Sequence, residues 1–107
     1  MALLDAEQVQ DALRSLDGWS GGTGAITRKV DLGSFPQAIE TVDRIAVVAE
    51  AIDHHPDIDI RWRTLTFTLS THSEGGVTQK DIDLAELIDA ILNFETAGDS
   101  DGPATPI

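Results

Sequence analysis

Apolar residues recur at helical period in three stretches of the chain, and each stretch begins at a residue that can cap a helix. Asp5 and Gln8 form a capping-box pattern before a first helix, which we predict at about residues 6–16. Ser34 begins a second helix that should end near His54, because Pro56 disfavours helical backbone at the residue before it. Thr78 caps a third helix, whose predicted buried side contains Ile82, Leu84, Leu87, Ile88 and Ile91.

Between the helices the apolar period changes to two, which is the spacing of a strand with one buried face. Residues 25–32 alternate in this way except at Arg28, and Trp19 with a glycine loop completes a first hairpin. A second hairpin follows, with Ile58, Ile60 and Trp62 on one strand and Leu65, Phe67 and Leu69 on the next. Trp62 is predicted either to join the core or to offer a flat face to an aromatic ligand. This order of elements predicts an α+β fold with an antiparallel sheet covered on one face.

The apolar pattern stops after residue 94. Residues 95–107 are rich in glycine, proline and acidic side chains, so they cannot bury enough apolar surface to offset the entropy lost on ordering. We therefore predict a single domain at residues 1–94 and a disordered acidic C-terminal tail at residues 95–107.

Charge and composition exclude several classes of partner. The chain has 107 residues, of which 7 are basic and 19 acidic, and its net charge of −12 disfavours nucleic acid and anionic lipid. It has 0 cysteines, which rules out disulfides, thiolate metal sites and a cysteine nucleophile. The first residues lack a signal-peptide pattern, and no stretch approaches the roughly 18 apolar residues of a membrane span. We expect a cytoplasmic protein with no membrane partner and no direct nucleic-acid partner.

All 3 histidines fall at the ends of predicted elements, where side chains can project from a rigid scaffold into a cleft. His54 and His55 follow the second helix, and His72 follows the second hairpin. Imidazole gives and takes protons near neutral pH, so this group suits acid/base catalysis. Ordinary solvent-exposed histidines are the alternative, and the nearby acids Glu50, Asp53 and Asp81 count against it.

Two of these acids have more than one possible role. Glu50 stands four residues before His54, so both lie on one side of the predicted helix, where the carboxylate either orients that imidazole or forms an ordinary surface pair with it. Asp81 follows Thr78 at capping-box spacing, and it can secure the helix start, act at the site, or do both.

A zinc site made of the three histidines is a weaker alternative. Neighbouring side chains such as His54 and His55 diverge at a helix end, whereas zinc-binding helices place their ligands four residues apart. We predict no metal site.

The stretch EAIDHHPDIDIRW, followed by LSTHSEGGVTQKD, resembles the pterin-4a-carbinolamine dehydratases. The resemblance covers about residues 3–93, and Ile58 departs from it because animal members often carry a tryptophan there. It rests on Glu50, His54-His55-Pro56, an aromatic at Trp62, Ser70-Thr71-His72, the glycine turn and Asp81.

The resemblance implies a four-stranded antiparallel sheet with three helices packed on one face, in a homodimer or homotetramer. It also implies an enzyme, a hydro-lyase that removes water from 4a-hydroxytetrahydropterin to give quinonoid dihydropterin. This reaction recycles tetrahydrobiopterin for aromatic amino acid hydroxylation and needs neither a metal nor an organic cofactor. A non-enzymatic dimerisation or interaction module, and an enzyme acting on another pterin, are the alternatives that stay open.

By similarity, the three histidines are the catalytic candidates. His54 and His72 are assigned to proton transfer, and His55 mainly positions the pterin substrate. The other residues implied to orient or bind the pterin are Glu50, Pro56, Trp62, Thr71, Ser73, Glu74 and Asp81.

Overall fold

The computed structural model describes the backbone of residues 2–100 and the side chains of residues 2–94. Its elements are α1 (Ala6–Arg14), β1 (Trp19–Gly21), β2 (Ile26–Asp31), α2 (Phe35–Ala51), β3 (Asp57–Arg61), β4 (Thr64–Leu69) and α3 (Gln79–Ser100). The strands form one antiparallel sheet of 4 strands in the order β1-β2-β4-β3. The predicted fold class and order of elements are therefore confirmed.

The first two helices begin at the predicted caps. The Asp5 carboxylate accepts from the Gln8 N–H at 2.8 Å, and the Gln8 side chain accepts from the Asp5 N–H at 2.9 Å. At α2, the Ser34 hydroxyl accepts from the Gln37 N–H at 3.2 Å. Each bond satisfies a helix N–H that has no partner within the helix, so the caps set where α1 and α2 start.

One face of the sheet is apolar and the other is polar. Along β4, Leu65, Phe67 and Leu69 are buried, while the threonines between them lie on the opposite face. The helices cover the apolar face, where Ile45 of α2 and Ile88 of α3 are also fully buried. Burial of these side chains is the main source of stability in a fold of this size.

Arg28 interrupts the apolar alternation of β2 because it has a specific partner on α3. Its guanidinium donates to Oδ1 of Asp89 at 2.6 Å, and the same oxygen accepts from the Trp19 indole N–H at 2.7 Å. The three side chains join β1 and β2 to α3 through a largely buried polar contact, and the charge of Arg28 is thereby balanced.

The two hairpins turn at residues with positive φ. Gly21 has a φ of 135°, and a Cβ at this position would lie 2.3 Å from the carbonyl oxygen of Ala25, so only glycine fits. In the second hairpin Trp62 has a φ of 56° and belongs to the turn between β3 and β4. Its side chain is 70% exposed, so Trp62 ends the strand, and of its two predicted alternatives the place in the core is excluded.

The ends of two helices and the burial of one side chain also differ from the sequence-based expectation. α1 ends at Arg14 with Ser15 as its cap, although Leu16 beyond it is still buried. α3 continues to Ser100, beyond the end of the apolar pattern at residue 94. The division into a domain at residues 1–94 and a disordered tail at residues 95–107 stays a prediction, and residues 101–107 lie outside the described residues. Leu87, predicted on the buried side of α3, is 36% exposed. No helix within the described part of the chain has the length and apolar content needed to cross a bilayer.

Candidate active site

The histidine pair comes just after α2, and the way this helix ends decides where the two side chains lie. α2 ends at Ala51, before the predicted end near His54. Asp53 then has a φ of 54°, and the N–H of His54 donates to the carbonyl oxygen of Ala49 at 3.0 Å. A left-handed residue with this bond closes a helix and turns the chain away from it, and aspartate tolerates the conformation better than most residues. His54 and His55 therefore leave the helix instead of continuing its surface.

His54 is paired with Asp81, which lies on the first turn of α3. Nε2 of His54 is 2.6 Å from Oδ1 of Asp81, with the imidazole 11% exposed and the carboxylate fully buried. Because an ionised carboxylate can only accept a hydrogen bond, this contact places a proton on Nε2 and leaves Nδ1 of His54 as an acceptor. A carboxylate in this position fixes both the tautomer and the orientation of the ring.

The second oxygen of Asp81 is held by two threonines. Oδ2 accepts from the backbone N–H of Thr78 at 2.9 Å and from the hydroxyl of Thr71 at 2.8 Å. Since Thr71 gives its one hydroxyl proton to Asp81, Thr78 must donate to Thr71 across their 2.7 Å contact. Asp81 thus secures the start of α3 with one oxygen and holds His54 with the other, so its two predicted roles coexist.

His55 pairs with Glu50, and this corrects the predicted pairing of Glu50 with His54. Nε2 of His55 is 2.8 Å from Oε1 of Glu50, and both side chains are largely exposed. The predicted pairing assumed that the helix continues through His54, but the left-handed turn at Asp53 rotates His54 away from the Glu50 side of α2. Each of the two adjacent histidines therefore has a carboxylate of its own.

A tight turn after β4 carries the third histidine. The N–H of Thr71 donates to the carbonyl oxygen of Gly76 at 2.8 Å, and the N–H of Glu74 donates to the carbonyl oxygen of Thr71 at 2.9 Å. Gly75 has a φ of 81°, which a side chain would make costly. The closed turn presents His72 on its exposed side, while Thr71 at its base stays buried against Asp81.

These segments enclose an open cleft of about 230 Å³ at one edge of the molecule. The structure brings all three histidines to the cleft wall, together with Thr71 and Ser73 of the predicted set. Glu50 and Asp81 are not part of the wall and reach it through His55 and His54, to which they are bonded. The cleft can therefore offer three imidazoles, two of them oriented by carboxylates, to one small molecule.

Besides Glu50 and Asp81, three more predicted residues do not line this cleft. Pro56 lies beyond His55 at the start of the path to β3, and Glu74 lies in the same turn as His72. Trp62 is at the opposite end of β3, on the order of 15 Å away at the usual rise per residue of a strand. Trp62 therefore does not line this cleft, and its contact with a bound ring stays a prediction.

Three residues outside the predicted set do line the cleft, namely Asp53, Ser70 and Lys80. Asp53 and Ser70 stand next to the histidine motifs, so their proximity in sequence was a usable signal. Lys80 had no such signal, because only the placement of the first turn of α3 beside the histidines brings it to the cleft.

Among the side chains of residues 2–94, no group of 3 or more His, Cys, Asp or Glu has the arrangement of a metal site. The nitrogens that a zinc ion would need are divided between separate carboxylates, with His54 bonded to Asp81 and His55 to Glu50. The described residues therefore offer pairs of proton-transfer groups, whose chemistry needs only the side chains themselves.

Comparison with known proteins identifies the family. The family described as pterin 4 alpha carbinolamine dehydratase matches residues 2–91. A protein from Mycolicibacterium vanbaalenii is 56% identical over 92 residues, which make up 86% of this chain and 99% of the relative. A protein from Nocardia farcinica is 57% identical over 89 residues, or 83% of this chain and 94% of the relative. Both relatives carry pterin-4-alpha-carbinolamine dehydratase as a provisional name.

Solved structures share the fold. The crystal structure of a transcriptional coactivator/pterin dehydratase from Brucella melitensis matches with a TM-score of 0.78 and 40% identity, covering 82% of this chain and 96% of that one. A pterin dehydratase-like protein identified as a RuBisCO assembly factor in the alpha-carboxysome has a TM-score of 0.57. It is 20% identical over 68% of this chain and 84% of its own, so that likeness concerns the fold alone. The extent of these matches shows that the chain belongs to the pterin-4-alpha-carbinolamine dehydratase family.

Proposed function

We propose that the protein, acting in the cytoplasm, removes water from 4a-hydroxytetrahydropterin to give quinonoid dihydropterin. The observation that carries the proposal is the convergence of His54, His55 and His72 on one cleft, with Asp81 fixing the ring of His54. The physiological setting that we propose is the recycling of tetrahydrobiopterin for aromatic amino acid hydroxylation.

The reaction requires two proton transfers on neighbouring atoms. An acid protonates the 4a-hydroxyl, the bond from C4a to oxygen breaks, and water departs. A base takes the proton from N5, and the electron pair of that bond forms the double bond between N5 and C4a. Two imidazoles facing one ring supply such an acid and base without a metal or an organic cofactor.

The contacts suggest how the histidines share this work. Asp81 holds a proton on Nε2 of His54, so Nδ1 is the acceptor that takes the N5 proton in our proposal. His72 then protonates the departing hydroxyl from the exposed turn across the cleft. His55 with its partner Glu50 holds the pterin ring in place.

The decisive experiment follows the decay of 4a-hydroxytetrahydropterin, generated in the assay, with and without the purified protein and with a chelator present. We expect decay faster than the spontaneous rate, and an unchanged rate in chelator. No acceleration by a folded protein would contradict the proposal. It would then favour another pterin substrate, or an interaction role like the one implied by the description of the Brucella protein as a transcriptional coactivator.

Replacing His55 with alanine should weaken pterin binding while leaving the fold unchanged. The loss of one hydrogen-bonding side chain at an open site corresponds to about a two- to tenfold increase in Kd. The stability should not change, because the bond between His55 and Glu50 is exposed. Fluorescence titration with unsubstituted pterin measures the effect. Glu40→Ala, which removes an exposed ion pair with Arg44 elsewhere on α2, is the matched control. Equal pterin affinity in wild type and His55→Ala would remove His55 from the binding role.

We also propose that the chain forms a homodimer or homotetramer. Several large apolar side chains are exposed, among them Ile60 and Trp62 at the sheet edge formed by β3, and Val47 and Phe94 on the helices. Exposed apolar side chains of this size are commonly covered by a partner subunit. Sedimentation velocity should therefore detect a dimer or a tetramer, and a single species of monomer mass at micromolar concentration would contradict this part of the proposal.

A further inference from the structure

Lys80 gives the cleft a positive charge that the proposed reaction does not use. Among the described residues that line the cleft, Lys80 alone has a permanently cationic side chain, and its neighbours are histidines, hydroxyl groups and Asp53. The chain as a whole has 19 acidic residues against 7 basic ones. Lys80 therefore places a positive charge at the cleft of a protein whose net charge is negative.

No carboxylate of the described residues lies within ion-pair distance of the Lys80 ammonium group. Four arginines differ in this respect, because each has an acidic partner: Arg14 with Asp11, Arg28 with Asp89, Arg44 with Glu40, and Arg61 with Asp59. Arg63 donates to the Leu32 carbonyl oxygen instead, and Lys29 lies on the polar face of the sheet, away from the cleft. The charge of Lys80 therefore stays available to a molecule in the cleft.

The position of Lys80 on α3 is also unfavourable for the helix. Lys80 lies in the first turn, where the helix dipole favours acidic residues and disfavours cations. Its backbone N–H donates to the Thr78 hydroxyl, and the Asp81 N–H donates to the Thr78 carbonyl oxygen, so the N–H groups of this turn are already bonded. Helix stability therefore does not explain a lysine at this position. Because the backbone N–H groups are bonded within the turn, an anion in the cleft would be attracted by the Lys80 side chain.

Lys80 directly precedes Asp81, which fixes the proposed base His54. The backbone of Lys80 therefore lies on the side of the cleft where N5 would react. Ring atom C6 of a pterin is bonded to N5, and a substituent on C6 therefore leaves the ring beside the reacting atoms. We propose that Lys80 binds an anionic group, a carboxylate or a phosphate ester, carried on C6 of the pterin. This inference rests on the proposed function and names the class of substrate that the cleft prefers.

The test compares two stable fluorescent pterins that differ in charge at C6: pterin-6-carboxylate and the neutral 6-hydroxymethylpterin. We expect wild type to bind the carboxylate about two- to fivefold more tightly at low salt, the range for an exposed ion pair. Lys80→Met should remove this preference and leave the Kd of the neutral pterin unchanged, whereas Lys80→Arg should retain it. High salt should weaken the preference in wild type, because it screens exposed charges.

Lys29→Met is the matched control, since it removes the same charge from the polar face of the sheet, away from the cleft. Its preference for the carboxylate should equal that of wild type. The melting temperature of Lys80→Met should equal or exceed that of wild type, which separates loss of an anion contact from loss of structure.

Two results would overturn the inference and leave the proposed function standing. One is equal affinity of wild type for the two pterins, and the other is a Lys80→Met variant whose affinity falls equally for both pterins. Absence of binding of either pterin to folded wild-type protein would instead overturn the proposed function and this inference together.

Discussion

Replacing His72 with alanine should lower the rate of dehydration by about 10²- to 10⁴-fold, the usual contribution of a general acid or base. The side chain lies on the exposed side of a turn whose closure depends on backbone hydrogen bonds, so its removal should leave the stability unchanged. Steady-state rates on generated 4a-hydroxytetrahydropterin, together with thermal unfolding, measure the two effects separately. The loss should appear in kcat, because His72 is proposed to act on the departing hydroxyl rather than to hold the ring.

Imidazole added to the solution tests whether His72 transfers a proton. The turn is open to solvent, so a small imidazole can enter the space left by His72→Ala and restore part of the rate. The same addition should not restore pterin affinity in His55→Ala, whose proposed defect is in binding. If His72→Ala keeps the wild-type kcat, the assignment of proton transfer to His72 is wrong.

Replacing Asp81 with asparagine should lower the rate by about 10- to 100-fold, the usual effect of removing a residue that orients a histidine. The amide has nearly the same shape, and its oxygen can accept from the Thr71 and Thr78 donors that now bond Oδ2. Its NH₂ group then faces Nε2 of His54 and donates to it, which moves the ring proton to Nδ1. The variant should fold with a free energy of unfolding about 1–3 kcal/mol lower, because the asparagine bonds carry no charge.

The histidine ring resonances in ¹⁵N NMR spectra distinguish the two tautomers of His54, and this signature would not change if Asp81 only supported the fold. Asp83→Asn is the matched control, since it removes an exposed carboxylate from the same helix. Thr71→Val separates an effect on the free energy of unfolding from an effect on the His54 tautomer. It removes one donor to Oδ2 of Asp81 and leaves the bond between Asp81 and His54 in place. A wild-type tautomer in a folded Asp81→Asn protein would contradict the positioning role.

The elements of the fold could be predicted because their signals are local. Asp5 with Gln8, and Ser34 with Gln37, make bonds between residues three apart, so the sequence pattern already contains both partners. Alternation along β4 has the same property, since neighbouring positions decide which face is apolar. The positive φ of Trp62 could not be predicted from alternation, which continues through this residue although the chain turns there.

Long-range contacts were the part of the fold that the sequence pattern did not indicate. Arg28 interrupts the alternation of a strand, and its partner Asp89 is 61 residues away on α3. A charge on the apolar face of a strand is tolerated only when a partner compensates it, and no local pattern indicates which residue that is.

By itself the sequence determined the family and the order of helices and strands, and it predicted the three histidines with Glu50 and Asp81 as the groups that carry the chemistry. These conclusions depend on residue types and on short spacings, which the chain contains in full. Only the tertiary structure decided which acid serves which histidine. Helical spacing pairs Glu50 with His54, but the left-handed Asp53 ends α2 early, and His54 instead meets Asp81, 27 residues away. The packing of α3 beside the histidines likewise decides that Lys80 faces the cleft, and the turn between β3 and β4 places Trp62 far from it.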